Sequence, residues 1–243
     1  MMGLRRIAKW SLALVFGYLA VMLFVPVQGD ARKAERRIVC VNNCRSIAQA
    51  LLVYNHEHGR FPPAFLADEH GTPIHSWRVL ILPFLDEQAL FDKYRFDEPW
   101  NGPHNVELLR EMPDVFRCPS YGLGKSEPAR EGFSNYVVIT GPDTIFPGGE
   151  TVTHGDIQDG AEQTLLVIEV SVESVPWLSP QDLTAEQFAK FAGDTERVSN
   201  HEANLAIGAF ADGHGQVIVP TMLDAASLMA LTTRAKHDAV LTP

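Results

Sequence analysis

Hydrophobic and polar positions divide the chain into an uncharged opening run, a stretch with one apolar helical face, and a longer body of short elements. Trp10 to Gly29 is twenty residues without a charge, WSLALVFGYLAVMLFVPVQG. A helix of that length rises about 30 Å, the thickness of a bilayer's hydrocarbon core. From Asp30 to about Asn55, apolar residues recur at Cys40, Cys44, Ile47, Leu51 and Tyr54. Spacings of four and three put them on one helical face. Ile38, Val41, Ala48 and Leu52 widen the stripe, and Arg36, Arg37, Arg45 and Gln49 take the solvent side. Gly59 and Pro62-Pro63 end the helix.

Beyond it the pattern shortens. Ser76–Phe84 is mostly apolar, Glu87–Tyr94 reads as a short helix, and Asn105–Glu111 as a helical turn. Tyr136–Thr140, Thr164–Val172, Asn204–Ala211 and Gln216–Val219 are rich in Val and Ile and predict strands. Asp212-Gly213-His214-Gly215 joins the last two, with Asp212-Gly213 reading as a type I′ turn. Thr184–Ala192 and Asp224–Lys236 predict helices, the second with Asp224 as N-cap. A helix first, with strands later and adjacent, argues for an α+β fold on an antiparallel sheet.

The uncharged run sets the organisation. Arg5, Arg6 and Lys9 precede it without an acid among them, which favours a cytoplasmic N-terminus. Arg32, Lys33, Arg36 and Arg37 follow it and dilute that bias. The expectation is a cytoplasmic N-terminus and signal anchor over residues 1–29, touching membrane lipid through residues 10–29. An extracytoplasmic domain then covers 30–243, with a helical stalk over 30–58. A cleaved signal peptide is the alternative, since Val27-Gln28-Gly29 offers small residues before Asp30.

Charge follows the same division. The net charge of −10 averages two unlike parts. Residues 1–37 carry seven basic and two acidic groups, a net +5; the rest carries 13 basic and 28 acidic, a net −15. A body that acidic repels a phosphate backbone, so nucleic acid is excluded as a partner. Hydrophobic residues at 46% exclude global disorder.

Candidate chemistry is sparse. Cys40 and Cys44 lie one helical turn apart and Cys118 opens a Cys-Pro turn. Outside the cytoplasm a disulfide from Cys118 to either is open, or all three are buried small hydrophobes. Helix geometry disfavours a bridge between Cys40 and Cys44. His201, Asp212 and His214 are the metal candidates, weighed against an ordinary turn and a hydrogen-bonded strand end. Asp156, Asp159 and Glu162 fit no calcium loop, and Gly122–Ser126 lacks the leading glycine of a phosphate loop. Glu169, inside an apolar strand, needs a partner when buried, with Arg78 or Arg234 in view. Trp77, Trp100 and Trp177 offer either a stacking surface or core packing. Neither a serine elbow nor a zincin motif occurs, so no catalytic residue and no cofactor is expected.

Several blocks together resemble a known family. They are Cys40-x-Asn42-Asn43; Tyr54-Asn55-x-x-x-Gly59-x-Phe61-Pro62-Pro63-Ala64; His75-Ser76-Trp77-Arg78-Val79-Leu80-x-Leu82-Pro83-Phe84-Leu85; Pro99-Trp100; and Phe116-Arg117-Cys118-Pro119-Ser120. Later come Asp159-Gly160, Thr164-Leu165-Leu166-Val167-x-Glu169, Pro176-Trp177, Pro180-x-Asp182-Leu183 and Phe210-Ala211-Asp212-Gly213. Over about residues 38–236 the chain resembles the planctomycete domain of unknown function 1559 family, many of whose members begin with a prepilin-type N-terminus.

The resemblance implies a pseudopilin-like build, a long N-terminal helix against an antiparallel sheet, with no assigned activity. It also favours Cys40 over Cys44 as the partner of Cys118. Two departures stand out. Arg6-Ile7-Ala8-Lys9-Trp10 replaces the family's peptidase site, with no glutamate in the apolar run. His201 precedes Asp212 by one residue more than the family's His-x9-Asp-Gly, which an insertion in or before the strand, such as a bulge at Gly208, would reconcile. The expected function is a non-catalytic, membrane-anchored envelope scaffold or interaction protein, with protein partners or self-association. The alternative is an extracytoplasmic module binding a ligand, glycan or metal.

Overall fold

The computed structural model describes residues 2–122, 131–170, 174–192, 205–219 and 223–236; the side chains of 2–13 and 20–30 lie outside the described residues. Helix α1 (Met2–His58) is continuous, and Gly59 at φ 72° follows it, the left-handed conformation that ends helices at low cost for glycine. The chain forms two units, Met1–Ile38 and Val39–Pro243.

In the second unit, β1 (Phe65–Ala67) and β2 (Pro73–Ser76) form a hairpin, followed by α2 (Trp77–Leu80) and α3 (Gln88–Lys93). Then come β3 (Phe133–Ser134), β4 (Tyr136–Val137), β5 (Ile139–Thr140), β6 (Leu165–Glu169), β7 (Val175–Pro176), β8 (Leu183–Thr184) and α4 (Ala185–Ala189). The last described elements are β9 (Ala206–Phe210), β10 (Gly215–Ile218) and α5 (Ala225–Ala230). The main sheet has order β10-β9-β6-β4 and is antiparallel throughout.

The two inner strands β6 and β9 are buried on both faces, which is why they read as nearly continuous apolar runs rather than alternating ones. On one face Leu166, Val167, Ile207, Ala209 and Ala211 join Cys40, Cys44, Ile47, Ala48 and Leu51 of α1 in the larger core. On the other, Leu165, Ile168, Val170, Ala206 and Phe210 pack with Phe188 of α4 and Leu228 of α5.

Register explains the one break in alternation. Leu165 pairs with Phe210 while Val167 pairs with Ala209, so β6 holds an extra residue at Leu166. That bulge puts Leu166 and Val167 in the same core and sends Glu169 to the α1 side. This bulge is separate from the longer spacing between His201 and Asp212: β9 pairs in regular register with β10 from Ala206 to Ala209, so no bulge falls at Gly208, and residues 201–204 before the strand lie outside the described residues.

Other expectations change in detail. Tyr136–Thr140 is two strands, because β4 pairs antiparallel with β6 while β5 pairs parallel with β8. The turn after β9 is a three-residue loop: the Gly213 N–H donates to Phe210 O and the Phe210 N–H to His214 O. Only Gly213 there has positive φ, 89°, which excludes a type I′ turn, since that requires two such residues. Asp224 does cap α5, accepting from the Ser227 N–H at 2.7 Å, but the helix stops at Ala230. Beyond it Thr233 bridges to Thr144, and the Arg234 carbonyl accepts from the Gln158 and Asp159 N–H groups. Asn204 and the end of the 164–172 stretch lie outside the described residues.

Ile38 is 61% exposed, whereas Ile47, on the same stripe, is fully buried. Ile47→Ala should therefore cost about 2–4 kcal/mol through lost burial and a cavity, and Ile38→Ala less than about 0.5 kcal/mol. Denaturant titration of the two variants reads the difference.

Candidate functional site

Two buried polar groupings lie in the second unit. The first is built on Arg78. Ser76 ends β2 and caps α2, accepting from the Arg78 N–H, and the single helical turn that follows aims Trp77 and Arg78 inward. Arg78 has no exposed surface. Its Nη2 lies 2.7 Å from Asp182 Oδ1 and its Nη1 3.4 Å from Asp182 Oδ2, a forked ion pair. Nε and Nη2 also donate to Tyr136 O, and Nη1 to Ser76 Oγ. Asp182 accepts in addition from Trp77 Nε1 at 2.9 Å and from the Val138 N–H at 3.0 Å.

The guanidinium carbon stands 4.6 Å from the Trp77 ring centroid. Burial pushes the Asp182 carboxyl upward, against Arg78 and the Val138 and Trp77 donors, and pushes Arg78 downward, against Asp182. With its donors and acceptors satisfied this way, the pair acts as a brace, tying the β2–α2 corner to β4 and to the segment before β8.

The second grouping contains thiols. Cys118 opens the Cys-Pro-Ser-Tyr turn, in which the Tyr121 N–H donates to Cys118 O and Pro119 presets the second position. The turn is held by the Asn135 side chain, which accepts from the Cys118 N–H at 3.0 Å. Cys40 comes from α1 and Glu169 from the end of β6. The Cys40 and Cys118 sulfurs and a Glu169 carboxylate oxygen all lie within 4.8 Å of one another, fully buried. The sulfurs themselves are 3.0 Å apart. Cys44, one turn along α1, points elsewhere, its Sγ 3.5 Å from Ile207 O.

Hydrogen bonding to Cys40, then burial and the Glu169 charge, pushes the Cys118 thiol up, and burial does the same to Cys44 and to the adjacent Tyr136 phenol. Thiols held protonated are weak nucleophiles. Asn43, next to this grouping, bridges Arg117 O and Tyr136 Oη through Nδ2.

The expected partners of Glu169 are engaged elsewhere. Arg78 pairs with Asp182, and Arg234 donates to Pro142 O and Thr144 O. Glu169 instead faces the thiols. Sequence reasoning missed Asp182 as an acid with a buried role; its signal was the Pro180-x-Asp182-Leu183 block, which nothing local couples to Trp77-Arg78.

Of the metal candidates, His201 lies outside the described residues. Asp212 and His214 come together at the surface, with Oδ1 to Nδ1 at 2.6 Å, and the His214 ring stacks on Phe210 at 4.6 Å. Among the described residues, the His, Cys, Asp and Glu ligand atoms that converge in a group of three belong to Cys40, Cys118 and Glu169. Asp156 caps its own turn through Thr153, and Asp159 accepts from Thr233. Trp77 and Trp177 are fully buried, so neither belongs to an open stacking surface, and Trp100 is half-buried against the core. An open cleft of about 770 Å3 runs between the polar face of α1 and the segments 84–87 and 113–115.

These features define a mixed α+β protein in which one helix seats on an antiparallel sheet and a corner is braced by a buried ion pair. The chain belongs to the family described as protein of unknown function (DUF1559), whose model matches residues 29–211. Comparison with the curated proteins and with the solved structures finds no match.

Breaking the brace on one side should cost about 3–5 kcal/mol, so Arg78→Met and Asp182→Leu should each unfold at much lower denaturant. The double variant should recover most of that loss, and equal losses in all three would contradict a coupled pair. A second expectation concerns His75, whose Nδ1 lies 2.8 Å from Tyr94 Oη and whose Nε2 lies 3.2 Å from Phe96 O. Burial lowers its pKa, against the Phe96 hydrogen bond. The unfolded chain thus takes up the proton first, and the site's contribution is full above about pH 6.5 and lost as pH falls from there. The drop in denaturation midpoint between pH 7 and 5 should be smaller in His75→Gln than in the natural chain.

Proposed function

We propose that this is a membrane-anchored, extracytoplasmic protein of pseudopilin-like build that acts without catalysis, as a scaffold or interaction subunit in an envelope assembly. The observation that supports the reading is the continuity of α1. One helix contains the uncharged run 10–29 and, further along, the core residues Cys40, Cys44, Ile47 and Leu51. Among the described residues no helix is long and apolar enough to cross a membrane. Most side chains of the 10–29 run lie outside those residues, so the anchor rests on the sequence. A helix that carries an apolar run at one end and forms part of a folded core at the other suits an anchored scaffold.

A second reading is favoured by the cleft beside α1. Asn42, Arg45, Ser46 and Gln49 face Asp86 and Glu87 across it, a mixed-charge lining suited to a polar ligand. In that reading the protein is a binding module, and the full-length chain stays monomeric while binding an oligosaccharide, with loss of binding in Arg45→Glu.

Sequencing the mature N-terminus from fractionated envelopes tests the anchor. Met1 or Met2, in material resisting alkaline extraction, is the expected result; Asp30 in the soluble fraction overturns it. Crosslinking in intact membranes should give oligomers that disappear when charged residues are placed in the 10–29 run.

A further inference from the structure

We propose that Cys40 and Cys118 close a disulfide that fastens α1 to the turn at Cys118–Tyr121. The two sulfurs, one from a helix and one from a turn 78 residues later, are 3.0 Å apart in the thiol form. Ligand number decides between two chemistries: a structural zinc takes four ligands, and among the described residues three candidates, Cys40, Cys118 and Glu169, converge here. The sulfurs are about an ångström from bonding distance. Cys44 is directed at Ile207 O, so the helix presents one thiol and not two. The Ser120 N–H, 3.4 Å from Cys118 Sγ, helps hold the turn's sulfur in place.

Closure is a thiol–disulfide exchange. The Cys40 and Cys118 thiols lose two protons and two electrons and form one S–S bond, while a disulfide of a protein or small-molecule oxidant is reduced to two thiols. Both cysteines are buried in the folded chain, so exchange precedes the seating of α1 or follows its transient opening. Once formed, the bond is shielded from reductants by the same packing, and local opening can no longer release α1 from the body. The inference is independent of the anchoring proposed above, since it needs only an oxidant.

The test uses the full-length chain, refolded with oxidised glutathione, then unfolded with alkylating agent, digested and analysed by mass. The expected result is a linked pair of peptides carrying Cys40 and Cys118, with Cys44 alkylated. Cys44→Ala should leave the link intact. Reduction should lower the melting temperature of the natural chain by roughly 5–15 °C and leave that of Cys40→Ser unchanged. Three alkylated cysteines, a bond from Cys44 to Cys118, or one zinc retained per chain with the thiols protected until it is chelated would each overturn the proposal.

Discussion

Everything in the second unit depends on one constraint: the apolar stripe of α1 at Cys40, Cys44, Ile47 and Leu51 has to be covered, and the sheet covers it. Burying side chains of this kind contributes roughly 1.5–3 kcal/mol each for the larger ones, and among the described residues no other element places so many fully buried residues on one face. The sheet needs the helix equally. Neither β6 nor β9 has an exposed residue, so without α1 one of their two faces would lie open to water. Helix and sheet are therefore two halves of one core.

The bulge in β6 adapts the strand to that arrangement. Strict alternation would put Leu166 and Val167 on opposite faces; the extra residue lets both contribute to the α1 side, and Glu169 follows them there. A carboxylate then enters the deepest part of the interface, against Cys40 and Cys118. Burying it is expensive unless polar neighbours come with it, and Asn43, Asn135 and Tyr136 supply a polar lining around the thiols. The Arg78–Asp182 pair solves a similar problem at the edge of the same core, with one guanidinium serving Asp182, Ser76 and the Tyr136 carbonyl together.

Features governed by local chemistry were legible in the sequence. The face of α1, its end at Gly59, the helix at Gln88–Lys93 and the Asp224 cap follow from periodicity, left-handed glycine and side-chain capping, all of which act within a few residues. Features governed by distant partners were not. The break between β4 and β5 arises because their neighbours are different strands. Similarly α5 is shorter than its pattern, since Thr233 and Arg234 are recruited by residues from 143 to 159. Asp182 sits 104 residues from Arg78, and no spacing rule joins them. A buried helical thiol and a Cys-Pro turn are each visible alone, but they left Cys40 and Cys44 both open as neighbours of Cys118, and the family resemblance alone favoured Cys40.

Residues 39–58 of α1 belong to the same folded unit as the sheet and are not an independent stalk. Hydrogen exchange on the full-length protein addresses it directly. Backbone amides from Cys40 to Leu52 should exchange as slowly as those of β6 and β9, through a shared global opening. Exchange of that segment at rates orders of magnitude faster than the two strands, while the strands stay protected, would contradict it.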